Sequence, residues 1–225
     1  MVEVIVFAEG QSDEQFVKRL VVPALHGLGV FLKPQLLHTS RDSTGGAINF
    51  DRLCHNVRNT LRQSQATYLT TFFDLYALDT DMPGMARAIK FVKPGDKAAC
   101  LEAELHAALV QKLGFRSGRL ITHIQPYELE GLFFSNTERL SQTVPGWDSA
   151  ADALRRVRES FATPEHINDG YETKPSKRLE KLLRPHYRKV SHASQIGQKI
   201  GLSTILAECP HFAAWVARLG QLQPL

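Results

Sequence analysis

An α/β fold with a mainly parallel central sheet and a helical C-terminal lobe is what this sequence predicts, on three observations. Two apolar runs, Val2-Glu3-Val4-Ile5-Val6-Phe7-Ala8 and Tyr68-Leu69-Thr70-Thr71-Phe72-Phe73, are short and rich in β-branched and aromatic residues, as buried strands are. Each stops at a carboxylate, Glu9 and Asp74, and each is followed by helical patterning. From Trp147 onward the pattern is helical throughout and rich in Lys and Arg. These features place an α/β domain at residues 1–145 and a basic helical lobe, packed on it as one unit, at 146–225.

In chain order, Ser12 with Gln15 three places on forms a capping-box pattern that starts a helix directly after the first strand. Phe16, Val17, Leu20, Val21 and Leu25 carry that helix to about Leu28, with a kink at Pro23. A second strand is expected at Gln35-Leu36-Leu37-His38-Thr39, leading into the Gly-rich loop Arg41-Asp42-Ser43-Thr44-Gly45-Gly46. Asn49 or Asp51 starts a helix that runs to about Gln63, and Tyr68 opens the next strand. A short helix around Met85 to Phe91 and a long one from Asp96 to Leu113, capped by Gly114, follow. Arg119 to Pro126 reads as a further strand, leading into a helix in which Leu129, Leu132 and Phe133 form the buried face. Helices at Trp147 to Phe161, from Pro175, and at His192–Gly201, Ser203–Cys209 and His211–Leu219 complete the chain.

At 225 residues, with 43% hydrophobic and 22% charged residues, the chain can build a full core and is not a disordered segment. Its formal charge of +4 is compatible with a polyanionic partner without demanding one. Three widely spaced cysteines argue against a disulfide framework and for a reducing compartment, and Cys54-His55 and Cys209-Pro210-His211 lack the four ligands of a structural zinc site. No apolar run approaches the ~20 residues that span a bilayer, and the start has no basic n-region, so a cytoplasmic protein is expected. No Walker-type phosphate loop and no Ser-His-Asp order occurs, which argues against ATP hydrolysis by this chain and against acyl transfer.

The candidate chemistry lies at strand ends. Ligands of open α/β sheets bind at the carboxyl edge of the strands, so Glu9 and Asp74 are placed to converge there. Hard divalent cations such as Mg²⁺ take oxygen ligands and are often held by one or two carboxylates plus substrate phosphates. Asp79 or Asp81 in the following loop can add a ligand, Asp81 reading better as the cap of the next helix. Glu128 and Glu130 flank a helix face on opposite sides, so one of the two is expected to face the strand-end acids, with Glu128 favoured. Arg41 in the Gly-rich loop, and Ser176, Lys177 and Arg178 at a helix start, are candidates for binding phosphate.

The segments Ala8-Glu9-Gly10-Gln11-Ser12-Asp13-Glu14, Phe73-Asp74-Leu75-Tyr76, Glu128-Leu129-Glu130-Gly131-Leu132-Phe133-Phe134 and Ile167 to Leu179, with Cys209-Pro210-His211-Phe212, together resemble a bacterial family of unknown function, DUF4276, over almost the whole chain. That family is similar to the TOPRIM domains of topoisomerases, primases and overcoming-lysogenisation nucleases. The resemblance implies a TOPRIM-like three-layer Rossmannoid sandwich, with a Glu after the first strand and a DxD after a later one serving Mg²⁺-dependent (or Mn²⁺-dependent) phosphodiester chemistry. Glu9 matches that glutamate and Asp74 the first aspartate, whereas Tyr76 stands at the second, leaving Asp79, Asp81 or Glu128 to supply the further carboxylate. Tyr127 likewise replaces a His of the family pattern. The resemblance also implies an ABC/SMC-type ATPase partner in antiphage defence.

The expectation is a metal-dependent nuclease-like protein acting on DNA or RNA. Glu9, Asp74, Asp79, Glu128 and Glu130 are its candidate metal ligands; Glu9, Asp74, Glu128 and Lys177 are its candidate catalytic groups. Its rivals are a TOPRIM-like binding module with a degenerate metal site and an enzyme of small nucleotides.

Overall fold

The strand that begins the chain, β1 (Val2–Ala8), lies inside a parallel sheet of order β2-β1-β3-β4, with β2 at Val30–Leu36, β3 at Thr67–Asp74 and β4 at Leu120–Ile121. A further two-residue strand, β5 (Ile124–Gln125), continues beside β3 beyond β4. This is a computed structural model, and it describes residues 1–37, 48–63, 66–168 and 170–225. The expected α/β class with a parallel central sheet is observed. All strand pairings among the described residues are parallel, so the carboxyl ends of β1 and β3 share one edge.

Side chains alternate across the sheet and build a separate core on each face. Val4 and Val6 of β1 and Phe72 of β3 pack with Phe16, Ile196 and Trp215 on one side. Ile5, Phe7 and Phe73 pack with Leu53 and Leu105 on the other. The first layer contains α1 (Gln11–Phe16), α2 (Val22–His26) and the C-terminal helices; the second contains α3 (Phe50–Gln63) and, beyond the short α4 (Met85–Ala88), α5 (Pro94–Leu113). Gly114 ends α5 with φ +66, where a residue without Cβ adopts the left-handed conformation at least cost. No helix among the described residues is long and apolar enough to cross a membrane.

Several expected elements differ in detail, each for a local reason. The second strand lies earlier than expected and contains Pro34; as the edge strand of the sheet it tolerates a residue that cannot donate to a ladder. The helix after β1 starts at Gln11, with Gly10 as its N-cap and no side-chain cap. Ser12, already inside the first turn, donates instead to Asp13 Oδ2 at 3.0 Å, so the capping box does not form. Pro23 lacks an N–H for the i−4 carbonyl, and the preceding turn, Val17–Val21, widens into a π-helix that joins α1 to α2. The strand expected over Arg119 to Pro126 is broken between β4 and β5, where Thr71 Oγ1 accepts the His123 N–H at 2.8 Å. Leu129–Ser135 is a 3₁₀ helix.

The remaining helices are α6 (Thr137–Ser141), α7 (Ala151–Glu159), α8 (Pro175–Leu182), α9 (Lys189–Ile200), α10 (Leu202–Glu208) and α11 (Pro210–Gly220). Helix α9 lies close against α1: a Cβ on Gly197 would stand 2.8 Å from the Phe16 ring. That close approach brings the first residue of α9, Lys189, over the acids of the β1–α1 turn.

Candidate active site at the carboxyl edge of the sheet

Because β1 pairs with β3 in the register Ala8↔Phe72, Glu9 and Asp74 emerge side by side. Asp74 is 4% exposed and fully engaged: Oδ1 accepts the Leu129 N–H at 2.7 Å, and Oδ2 lies 3.1 Å from Lys189 Nζ. The same ammonium is 3.5 Å from Glu130 Oε2, and Glu130 Oε1 accepts from the Tyr187 hydroxyl at 3.0 Å. Glu128 turns to the other rim, where Oε1 pairs with Lys174 Nζ at 2.7 Å and Oε2 accepts the Ser176 N–H at 2.9 Å. Tyr127, just before both glutamates, has φ +61, a conformation that costs a non-glycine residue about 1 kcal/mol or more. Together Glu9, Asp74, Glu128, Glu130, Lys174 and Lys189 line a cleft of about 270 Å³. Asp13 lies beneath it, 1% exposed.

Five carboxylates (Glu9, Asp13, Asp74, Glu128 and Glu130) against two ammonium groups (Lys174 and Lys189) leave a formal excess of three negative charges when all are ionised. The proton affinities follow from that crowding. Burial, then the neighbouring Asp13 carboxylate, push the Glu9 carboxyl up to about 7. Burial also raises Asp74 and Glu130, against the opposing pull of Lys189. Burial works against the charged form of Lys189, but the Asp74, Glu130, Asp13 and Glu9 carboxylates outweigh it and hold the ammonium protonated. Tyr187 is held well above the usual phenol range by burial and by Glu130. Among the described residues, the buried Glu9 Oε2 and Asp13 Oδ1 meet no hydrogen-bond donor, and Glu130 Oε2 meets only the Lys189 ammonium at 3.5 Å. Such atoms are costly unless a cation or proton meets them.

Of the sequence candidates, the fold brings Glu9, Asp74, Glu128, Glu130 and Ser176 to this cleft. Glu130, and not the favoured Glu128, shares a cation with Asp74, because the segment begins as extended backbone at Glu128 and coils into a 3₁₀ helix only from Leu129. The Ser176 amide faces the protein's own Glu128 carboxylate, so the anion at that helix start is internal. Lys177 turns away to Glu180 at 2.7 Å, and Arg178 donates to the Thr173 carbonyl and stacks 5.4 Å from the Phe161 ring. Neither lines the cleft: Lys177 is turned to the next turn of α8, and Arg178 to the segment before it and to Phe161. Asp79 Oδ1 accepts from Thr80 and is not among the lining residues; the N-cap of α4 is Gly84, so neither Asp79 nor Asp81 caps it. Arg41 and its Gly-rich loop lie outside the described residues.

Sequence reasoning missed Asp13, Lys174 and Lys189 as members of the site. Asp13 follows Glu9 by four residues across the turn, a spacing that offered a signal; Lys189 is one cation in a basic stretch and offered none. Separate from the cleft, Glu102, His123 and His211 form a group whose ligand atoms all lie within 4.8 Å of one another. His211 therefore belongs to a ligand-like cluster, though not with Cys209, whose buried thiol meets Ser135 Oγ at 3.3 Å.

A family model described as a domain of unknown function, DUF4276, matches residues 8–220. The chain belongs to this family. The match spans both the cleft and the Glu102–His123–His211 group. No curated protein and no solved structure matches the chain.

Proposed function

We propose that this DUF4276 protein is a metal-dependent, nuclease-like enzyme of TOPRIM-like type that cleaves phosphodiester bonds in the acid cleft. The observation that carries the reading is the convergence of Glu9, Asp13, Asp74 and Glu130 on one ammonium at the carboxyl edge of a parallel sheet, with Glu9 Oε2 and Asp13 Oδ1 left without donors among the described residues. An all-oxygen donor set with excess negative charge suits Mg²⁺ or Mn²⁺ in its chemistry; as they stand the cleft oxygens are not gathered at ligand spacing, so Glu9, Asp74 and Glu130 would hold such an ion only with the Lys189 ammonium displaced from between them. When bound, such an ion supplies charge neutralisation and Lewis-acid polarisation of a phosphoryl oxygen.

The chain's own groups supply the rest. In the alternative in which Glu9 does not ligate the ion, its carboxyl, raised to about 7 in the metal-free cleft, is matched to accept or donate a proton near neutral pH. Lys189, fixed by Asp74 at 3.1 Å, is placed to stabilise negative charge that grows on a phosphate in the cleft. Lys174 takes the phosphate-binding role expected of Lys177, since it lines the cleft. The exposed rings of Tyr76 and Tyr171, each within cation–π distance of Lys174 at 5.7 and 5.2 Å, offer stacking faces to unpaired bases.

One observation favours the rival reading of a binding module: Lys189 already neutralises Asp74 and Glu130, as a degenerate metal site would. Cleavage of supercoiled and linear DNA, single-stranded DNA and tRNA with Mg²⁺ or Mn²⁺, by wild type and by folded Glu9→Gln and Asp74→Asn, separates the two. Metal-dependent cutting lost in both variants is the expected result. No cutting on any substrate, with nucleic-acid binding equal in wild type and variants, selects the module. An ABC/SMC-type ATPase partner and a role in antiphage defence are proposed on the family resemblance alone, and the panel is run with and without that ATPase.

A further inference from the structure

We infer that Glu102, His123 and His211 form a second, independent metal site, one for a first-row transition ion such as Zn²⁺. The three residues come from distant parts of the chain: the middle of α5, the break between β4 and β5, and the first turn of α11. Glu102 Oε1 lies 2.7 Å from His211 Nε2 and 3.5 Å from His123 Nδ1. The metal replaces the proton that His211 and Glu102 share, opening that contact toward the ~3.4 Å donor spacing of a tetrahedral ion with bonds near 2.1 Å.

The supporting groups are built as ligand supports are. Glu165 accepts the backbone N–H groups of both His211 and Phe212 at 2.9 Å and so fixes the start of α11. The His123 backbone N–H is held by Thr71 Oγ1, and its ring is stacked against Trp215 at 4.8 Å and Phe72 at 5.6 Å. Glu102 Oε1 is oriented by the Ile124 N–H at 2.8 Å. His123 is 1% exposed and turns Nδ1, the nitrogen free to ligate, toward Glu102. A cavity of about 120 Å³, lined also by Thr122 and Arg218, borders the three ligands. Three protein ligands beside open space are the pattern of a site with a free coordination position, and exposed Arg218 at its rim suits an anionic fourth ligand.

Two imidazoles and one carboxylate select a transition ion over Mg²⁺, which prefers oxygen alone. No residue lines both this cavity and the acid cleft, so the inference does not rest on the nuclease reading. Ligation of this kind ties α11 and α5 to the sheet edge and stabilises the fold through mass action.

The test is calorimetric titration of chelator-treated, untagged full-length protein with ZnCl₂ in excess Mg²⁺, which occupies oxygen-only sites. Saturable one-to-one binding is expected, weakened at least ~100-fold by Glu102→Gln and by His211→Ala, with a rise in melting temperature of roughly 5–10 °C at a hundredfold excess over Kd. Co²⁺ should quench the fluorescence of Trp215, because its ring lies against His123, and Trp215→Phe should remove that quenching. Absent Zn²⁺ binding, or binding equal in both variants and wild type, overturns the inference. Should a variant fail to fold, Co²⁺ quenching in wild type decides: quenching that persists in Trp215→Phe also overturns it.

Discussion

In the acid cleft four carboxylates crowd around a tethered lysine, whereas in the Glu102 cluster one carboxylate serves two imidazoles. The first arrangement has too much negative charge, so it holds protons above their ordinary affinity and keeps Lys189 charged. The second is nearly balanced and rigidly walled by aromatic rings. The contrast shows one parallel sheet carrying two different donor sets, oxygen alone at the strand ends and nitrogen with oxygen at the sheet edge.

The largest effect expected is on cleavage. Asp74→Asn should lower metal-dependent cleavage by ~10²-fold or more while leaving Zn²⁺ affinity within about twofold. If both change together in parallel cleavage and titration assays, the two regions are one site.

The pH dependence of stability sharpens the charge side of the comparison. With the Glu9 carboxyl raised from 4.5 to about 7 in the folded state, the folded chain binds that proton more tightly than the unfolded one. Its contribution is therefore complete below pH 4.5 and is lost as pH rises through 7, by on the order of 3 kcal/mol at most. Urea unfolding in chelator across pH 4.5–7.5 should show stability falling with pH, and Glu9→Gln should flatten that slope.

Lys189→Met leaves Asp74 and Glu130 without their cation. A loss of about 2–3 kcal/mol is expected in chelator, the low end for a buried pair because the lysine side chain is 35% exposed. Added Mg²⁺ should restore part of it if the cleft takes a divalent ion in the lysine's stead; an unfolding midpoint unmoved by Mg²⁺ would count against that.

Gly197→Ala drives a methyl into the Phe16 ring and should cost about 1–2 kcal/mol, with cleavage falling as Lys189 shifts on α9. Smallest of all, Lys177→Ala removes only a solvent-screened surface pair with Glu180 and should leave the unfolding midpoint unmoved, with cleavage within about twofold.

The half of the cleft that the sequence made legible is the half built from strand ends. An apolar run that stops at an acid records both where a strand finishes and what it delivers, so the order of residues alone is enough to pair Glu9 with Asp74. Glu128 and Glu130 were legible as candidates but not in orientation, since the switch from extended backbone at Glu128 to a 3₁₀ helix at Leu129 is an outcome of packing and not of local pattern. Lys189 reaches the acids only because Gly197 lets α9 close on α1, a tertiary fact with no local signature. The Glu102 cluster was illegible for the same reason: its members stand 21 and 88 residues apart in sequence, with no ligand spacing to read. The shifted second strand shows propensity overruled by position, Pro34 being acceptable only at a sheet edge.

The two-residue strand β5 carries one consequence further. Ile124 gives its N–H to Glu102, while Gln125 stands in register with Asp74 and extends its side-chain amide toward Glu165, the carboxylate that anchors His211. The two regions thus meet in adjacent peptide units of one short rod. Any free energy of interaction transmitted along it acts equally in both directions, so whatever factor an ion at the imidazoles imposes on affinity at the strand ends, an ion at the strand ends must impose in return.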